Sequence, residues 1–337
     1  MSRLCGVPGA RASRGVSLIE LMISMAIGLI LTVVVLFAYQ SATTANKVAE
    51  AQGHMNEDAQ AALAILTQQL RMAGSNPEQA NRVDNVDPTL SSRRNPVYSP
   101  PPAYAGFALL PASFFVSSFA VRGCDGTFSN LKTSVDIDHL TCTAGATTRP
   151  DSIAVSYEAD KFNTVPTSAG LPTDCLGKKL ATVTATLPVA TGAVVANTDV
   201  AYGVADNRFY IDTSLAVPSL YCKGNGIDST PQALVENIED LQLIYGVTAV
   251  ATPIAGYLSA EQMLTNAALV LLANDALRWQ KVITVRICIV ARTQAPIVSN
   301  ALSARYIKCD GNLETAPPDL RLRHAYSTTV VLRNRRL

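Results

Sequence analysis

Between Leu21 and Tyr39 the chain runs nineteen residues without a charged side chain, LMISMAIGLILTVVVLFAY. As a helix rising about 1.5 Å per residue, that run matches the ~30 Å hydrocarbon core of a bilayer. Later apolar stretches are shorter or interrupted, such as Ala267–Ala273 and Val282–Ala291 with its Arg286, so one membrane pass is predicted. Arg3, Arg11 and Arg14 precede the run with no acid among them, which predicts a cytoplasmic N-terminus and a C-terminal mass across the membrane. One residue does not fit a plain span. Glu20 stands at its start, and an intramembrane carboxylate normally faces a partner or snorkels to the headgroups. A secretory signal peptide is the plainer alternative, but its apolar core is usually ~7–15 residues, and here the chain past Tyr39 continues as helix.

That continuation, SATTANKVAEAQGHMNEDAQAALAILTQQLRMAG, places Val48, Met55, Ala59, Ala62, Leu66 and Leu70 at steps of three, four and seven, one helical stripe. No proline occurs between Pro8 and Pro77, and Gly74-Ser75-Asn76-Pro77 supplies a glycine stop followed by proline. A helix from Val16 to Met72 would be ~85 Å long, which requires neighbours along its length. The rest of the 337-residue chain is long enough for a sizeable core, and 48% hydrophobic residues are ordinary for one. The 27 Lys and Arg against 26 Asp and Glu create no global field toward nucleic acid.

Asn76–Tyr104 is polar and ends in Pro100-Pro101-Pro102, a surface connector. Beyond it, Ile153, Val155 and Tyr157 alternate with Ser152, Ala154 and Ser156, and Ile283, Val285, Ile287 and Ile289 alternate with Thr284, Arg286 and Cys288. Each series predicts a strand with one apolar face. Val200–Val204, Arg208–Ile211, Leu241–Val247 and Tyr326–Leu332 are further strand candidates, and Ala260–Trp279 reads as helix. The class is α+β, a long N-terminal helix packed on an antiparallel sheet.

The residues Arg14-Gly15-Val16-Ser17-Leu18-Ile19-Glu20-Leu21 resemble the class III signal of type IV pilins and type II secretion pseudopilins, with Val16 where most such proteins carry Phe. The segments DAQAALAILTQQLRMAG, VENIEDLQLIYGV, RWQKVITVRICIVAR and STTVVLRNRR are similar to the PilW group of minor pilins. The resemblance implies a type IV pilin-like fold and cleavage between Gly15 and Val16 by a prepilin peptidase. It also implies N-methylation of Val16 and an assembly role for Glu20, facing the Val16 amine of a neighbouring subunit. Cleavage would expose a Val16 α-amine with a pKa of about 8, and Glu20 of the same chain lies ~6 Å further along the helix. The implied organisation is a leader over 1–15, a transmembrane half-helix over 16–39 and an amphipathic half-helix over 40–73. A Pro-rich connector over 74–105 and a periplasmic β-rich domain over 106–337 follow.

The implied partners are the peptidase, other minor pilins, the major pilin, the inner membrane and a tip adhesin, with no cofactor. The favoured reading is a pilus-tip subunit that helps start assembly. A type II pseudopilin is the alternative, and a host- or DNA-binding surface over residues 76–198 is a third. Cys5 falls in the leader, and the six remaining cysteines allow three disulfides in 15 arrangements. Cys288–Cys309 is the most arguable pair, because both flank a predicted hairpin loop near Pro296–Asn300; Cys124–Cys142 and Cys175–Cys222 rest on nearness alone. No residue is assigned a catalytic role: His54, His139 and His324 are isolated in sequence, and no H-E-x-x-H or G-x-S-x-G occurs. Asp136-Ile137-Asp138-His139 could ligate a metal but reads better as a polar turn.

Overall fold

The computed structural model describes residues 15, 17–75, 119–143, 149–191, 194–214, 216–248, 256–272 and 274–334. The predicted connector Asn76–Tyr104 lies outside them. The chain divides into two units, residues 1–50 and 51–337. Helix α1, Leu18–Met72, begins in the first and ends in the second.

In the first unit every large apolar side chain from Leu18 to Tyr39 is exposed, as in a segment built for an apolar solvent. Its hydroxyls are satisfied within the helix, Ser24 Oγ donating to the Glu20 carbonyl at 2.7 Å and Thr32 Oγ1 to the Gly28 carbonyl at 2.8 Å. That matters in lipid, where no water would take their place.

In the second unit α1 buries Met55, Ala59, Ala62, Leu66 and Leu70, five positions of the predicted stripe. Polar contacts fix its rotation. Gln69 Oε1 accepts from Asn207 Nδ2 at 2.9 Å and from the Tyr157 hydroxyl at 3.5 Å. Asn56 Oδ1 accepts from the Tyr326 hydroxyl, and the Asp58 carboxylate is bonded by the Asn237 side chain. The helix stops at Gly74, whose φ of +68° only glycine adopts readily, and Gly74 N donates to the Ser156 carbonyl at 2.9 Å.

These contacts reach two antiparallel sheets. In the first, β1 (Val121–Cys124), β2 (Ser152–Glu158), β4 (Val194–Asp212), β5 (Ser219–Lys223) and β6 (Gln232–Glu236) pair in that order, and β3 (Thr182–Thr191) pairs with the earlier half of β4. The second has the order β12 (Arg323–Val331), β9 (Val282–Arg292), β7 (Ile238–Val247) and β8 (Gly256–Leu258). β10 (Tyr306–Ile307) and β11 (Leu313–Glu314) form a separate small hairpin. The chain passes from β6 to β7 through one residue, Asn237 at φ +61°, a conformation asparagine tolerates better than most. Asp151 ties the sheets together: Oδ1 accepts from Gly126 N at 3.0 Å, Oδ2 from Leu243 N at 2.7 Å, and its own N donates to the Leu241 carbonyl at 2.7 Å. Burial pushes its carboxyl up to about 7, against the lowering effect of the two amide donors.

Several sequence expectations are corrected. β2 is buried on both faces along all seven residues, because α1 covers it through Tyr157 and neighbouring elements cover Ser152 and Ala154. The expected strands Val200–Val204 and Arg208–Ile211 are one strand, β4, whose two halves pair with β3 and β2. On β9 the alternation holds for Val285, Ile287 and Ile289, but a bulge opposite Gly246 and Val247 buries Val282 and leaves Ile283 half-exposed. Ala260–Trp279 is not one helix. It is two short ones, α2 (Ala260–Thr265) and α3 (Asp275–Trp279), separated where Asn266 and Asn274 satisfy local amides. No two-strand hairpin spans Cys288 to Cys309: β9 pairs with β12 and β7, with Ser327 and Gln242 on either side of Cys288.

Candidate functional site

The helix start holds the residues that the sequence singled out. Ser17 N donates to Glu20 Oε2 at 3.2 Å while Glu20 N donates to Ser17 Oγ at 3.3 Å, and Leu21 N closes the first helical turn on the Ser17 carbonyl. This reciprocal pair is a capping box, S-x-x-E, which satisfies two amides that the helix leaves without partners. Its signal is present in the sequence as Ser17-Leu18-Ile19-Glu20, masked there by the oddity of a lone charge in an apolar run. Glu20 is exposed, so its carboxylate stays accessible while it caps. Gly15 is also exposed, with open space where a side chain would begin. Val16 lies outside the described residues.

The cysteines form three cross-links, with Cα separations in the range that permits a disulfide. Cys124–Cys142 spans 5.6 Å, Cys175–Cys222 spans 6.6 Å and Cys288–Cys309 spans 5.7 Å. The first closes the loop after β1, which Arg122 and Arg208 also hold. Arg122 Nη1 donates to the Ile137 and Asp138 carbonyls at 2.9 and 3.0 Å, and Arg208 Nη1 to those of Leu131 and Thr133 at 3.0 Å each. Buried Asp206 neutralises Arg208 at 3.0 Å. The second disulfide ties the loop before β3 to β5. The third pins the turn between β10 and β11 onto β9. The arginine contacts have no sequence signature: Arg208 is buried, Arg122 half-buried, and both bond to backbone carbonyls.

Among the described residues no group of three or more His, Cys, Asp or Glu is placed to hold a metal. Asp136 and His139 are exposed at the two ends of a short 3-10 turn, with Nδ1 of His139 3.9 Å from the Asp136 carboxylate. His324 stacks edge-on against Tyr326.

Residues 10–36, which contain the capped helix start, match the profile of the prokaryotic N-terminal methylation motif. Residues 208–334 match the profile of type IV pilus-assembly protein W, PilW. Over these two stretches the chain is similar to PilW-like type IV pilins. The PilW match takes in the end of β4, the whole second sheet and the Cys288–Cys309 cross-link. Residues 37–207, with the other half of the first sheet, fall outside both matches. PilW-like pilins are structural subunits and not an enzyme family. No curated protein matches the chain. Among solved structures, a type IV-like pilin from Thermus thermophilus aligns at 11% identity with a TM-score of 0.24, covering 56% of this chain and 80% of that one.

Proposed function

We propose that the chain is a minor pilin, cut by prepilin peptidase between Gly15 and Val16, N-methylated at Val16, and incorporated at the tip of a type IV pilus, where it helps start assembly. The observation that carries the reading is the joint presence of a methylation motif over residues 10–36 and a PilW profile over 208–334. Before assembly the apolar half of α1 anchors the chain in the inner membrane with the second unit in the periplasm; afterwards the subunit is part of the surface fibre. Cleavage creates the Val16 amine, and a neighbour's amine is the natural counter-charge for Glu20 in a water-poor filament core. Other minor pilins and the major pilin are the partners, joined through the same helix.

Surface pili counted with and without the gene, in cells whose retraction motor is disabled, test the assembly role. Loss of pili is expected; full piliation in the deletion strain contradicts it. Normal piliation with failed protein secretion would assign the chain to a type II system.

A further inference from the structure

On the outer face of the second sheet, strand register sets six side chains in two adjacent rows: Gln242, Cys288 and Ser327 in one, Ile244, Arg286 and Thr329 in the next. The β10–β11 turn lies over the first row, held there by the Cys288–Cys309 bond, and the space between turn and sheet is a cleft of about 650 Å³. That volume is within the usual range for a small-molecule site. Its lining includes two cations, Arg286 and Lys308, and no carboxylate.

The charges are unequally compensated. Lys308 Nζ lies 3.7 Å from Asp310, outside the lining, and Asp310 is near enough to Asp240 to raise its affinity for protons. Arg286 has no carboxylate within ion-pair distance among the described residues; its guanidinium rests instead over the half-exposed Tyr257 ring, 5.1 Å from the centroid. Around it Ser327 and Thr329 present exposed hydroxyls, each able to donate and accept. Gln242 gives its Nε2 to Asp240 at 2.9 Å and keeps its carbonyl as an acceptor. One planar cation, mixed hydroxyl and amide groups and a concave wall suit a ligand with one acid group and many hydroxyls. Two cations are far short of the several phosphate contacts that hold a nucleic acid.

We propose that this cleft binds an acidic saccharide, with Arg286 taking the carboxylate and Gln242, Ser327 and Thr329 the hydroxyls. The site is separate from the helix that would mediate assembly, and it stands or falls independently of the pilus reading.

Calorimetric titration of the full-length protein in detergent micelles tests it with three probes: galacturonic acid, its methyl ester, which keeps the sugar without the charge, and inorganic phosphate. The acid is expected to bind, the ester to bind at least about tenfold more weakly, and phosphate more weakly still, as the loss of a charge-assisted hydrogen bond requires. Arg286→Gln should cost about tenfold and Thr329→Val several-fold. Both are surface changes, so an unaltered melting temperature identifies the loss as local. No binding of the acid, equal binding of acid and ester, phosphate binding as tight as the acid, or an unaffected Arg286→Gln would each overturn the proposal.

Discussion

At the residue scale, Glu20 has two physical tasks that substitution separates. It caps its own helix by accepting from Ser17 N, and on the proposed function it also meets a neighbour's Val16 amine. Ser17→Ala removes the other half of the cap, worth about 1 kcal/mol, and keeps the carboxylate. Glu20→Ala removes both. The expected outcome is that each variant is still cleaved after Gly15, but only Glu20→Ala drops strongly in purified pili, read by quantitative blotting against the membrane pool. Equal losses would reduce Glu20 to a cap. Asp151 supplies a pH signature in the second unit. Its folded pKa of about 7 lies above the ordinary carboxylate value of about 3.9, so the folded state holds its proton longer than the unfolded state does. Its contribution is therefore complete below pH ~4 and is lost as pH rises to about 7, on the order of a few kcal/mol. Melting temperature should fall across that window in the native protein. In Asp151→Asn, which cannot ionise, this slope should flatten, at the cost of an acceptor for Gly126 N or Leu243 N.

At the element scale, α1 is the most legible part of the chain, because a helix writes its buried face into one local segment at a fixed period. Leu66 and Leu70, each 1% exposed, are its largest anchors. Leu66→Ala should destabilise the second unit by about 2–5 kcal/mol, and Ala62→Leu should cost about 1–3 kcal/mol by overpacking. Thermal melts in detergent micelles read both. Gln68→Ala, at an exposed position on the same turns, serves as a neutral control. The strands are legible as apolar runs but not in their ends or register. β4 reads as two strands because its polar residues Asp206 and Asn207 interrupt the apolar pattern, yet both, and Arg208 after them, are buried and hydrogen-bonded. The gap in Ala260–Trp279 is hidden because asparagine caps look like tolerable interior residues. The cross-links belong to this scale as well. Cys175–Cys222 closes the longest of the three intervals, 47 residues, and Cys175→Ser with Cys222→Ser should cost about 2–5 kcal/mol, more than removing the 18-residue Cys124–Cys142 link. Denaturant melts compare them directly.

At the scale of the whole molecule, a half-helix long and apolar enough to cross a membrane is continuous with an amphipathic half that is integrated into a two-sheet domain. The segment matched by the methylation motif is largely legible in the sequence, since Arg11, Arg14, Gly15, Glu20 and the uncharged run lie close together, and local sequence specifies them without long-range contacts. The disulfide-roofed cleft is not, because its two rows come from three strands brought together only by register, and its roof from a hairpin inserted between two of them. Removing the apolar half of α1 should therefore abolish incorporation while leaving the fold of the second unit to its own core. Mass spectrometry of the N-terminal peptide from sheared, purified pili tests the central claim most directly. The account predicts a peptide that begins at Val16, carries a methyl group on its α-amine, and is present at far below the level of the major pilin. A chain found only in the membrane fraction with residues 1–15 still attached would contradict it.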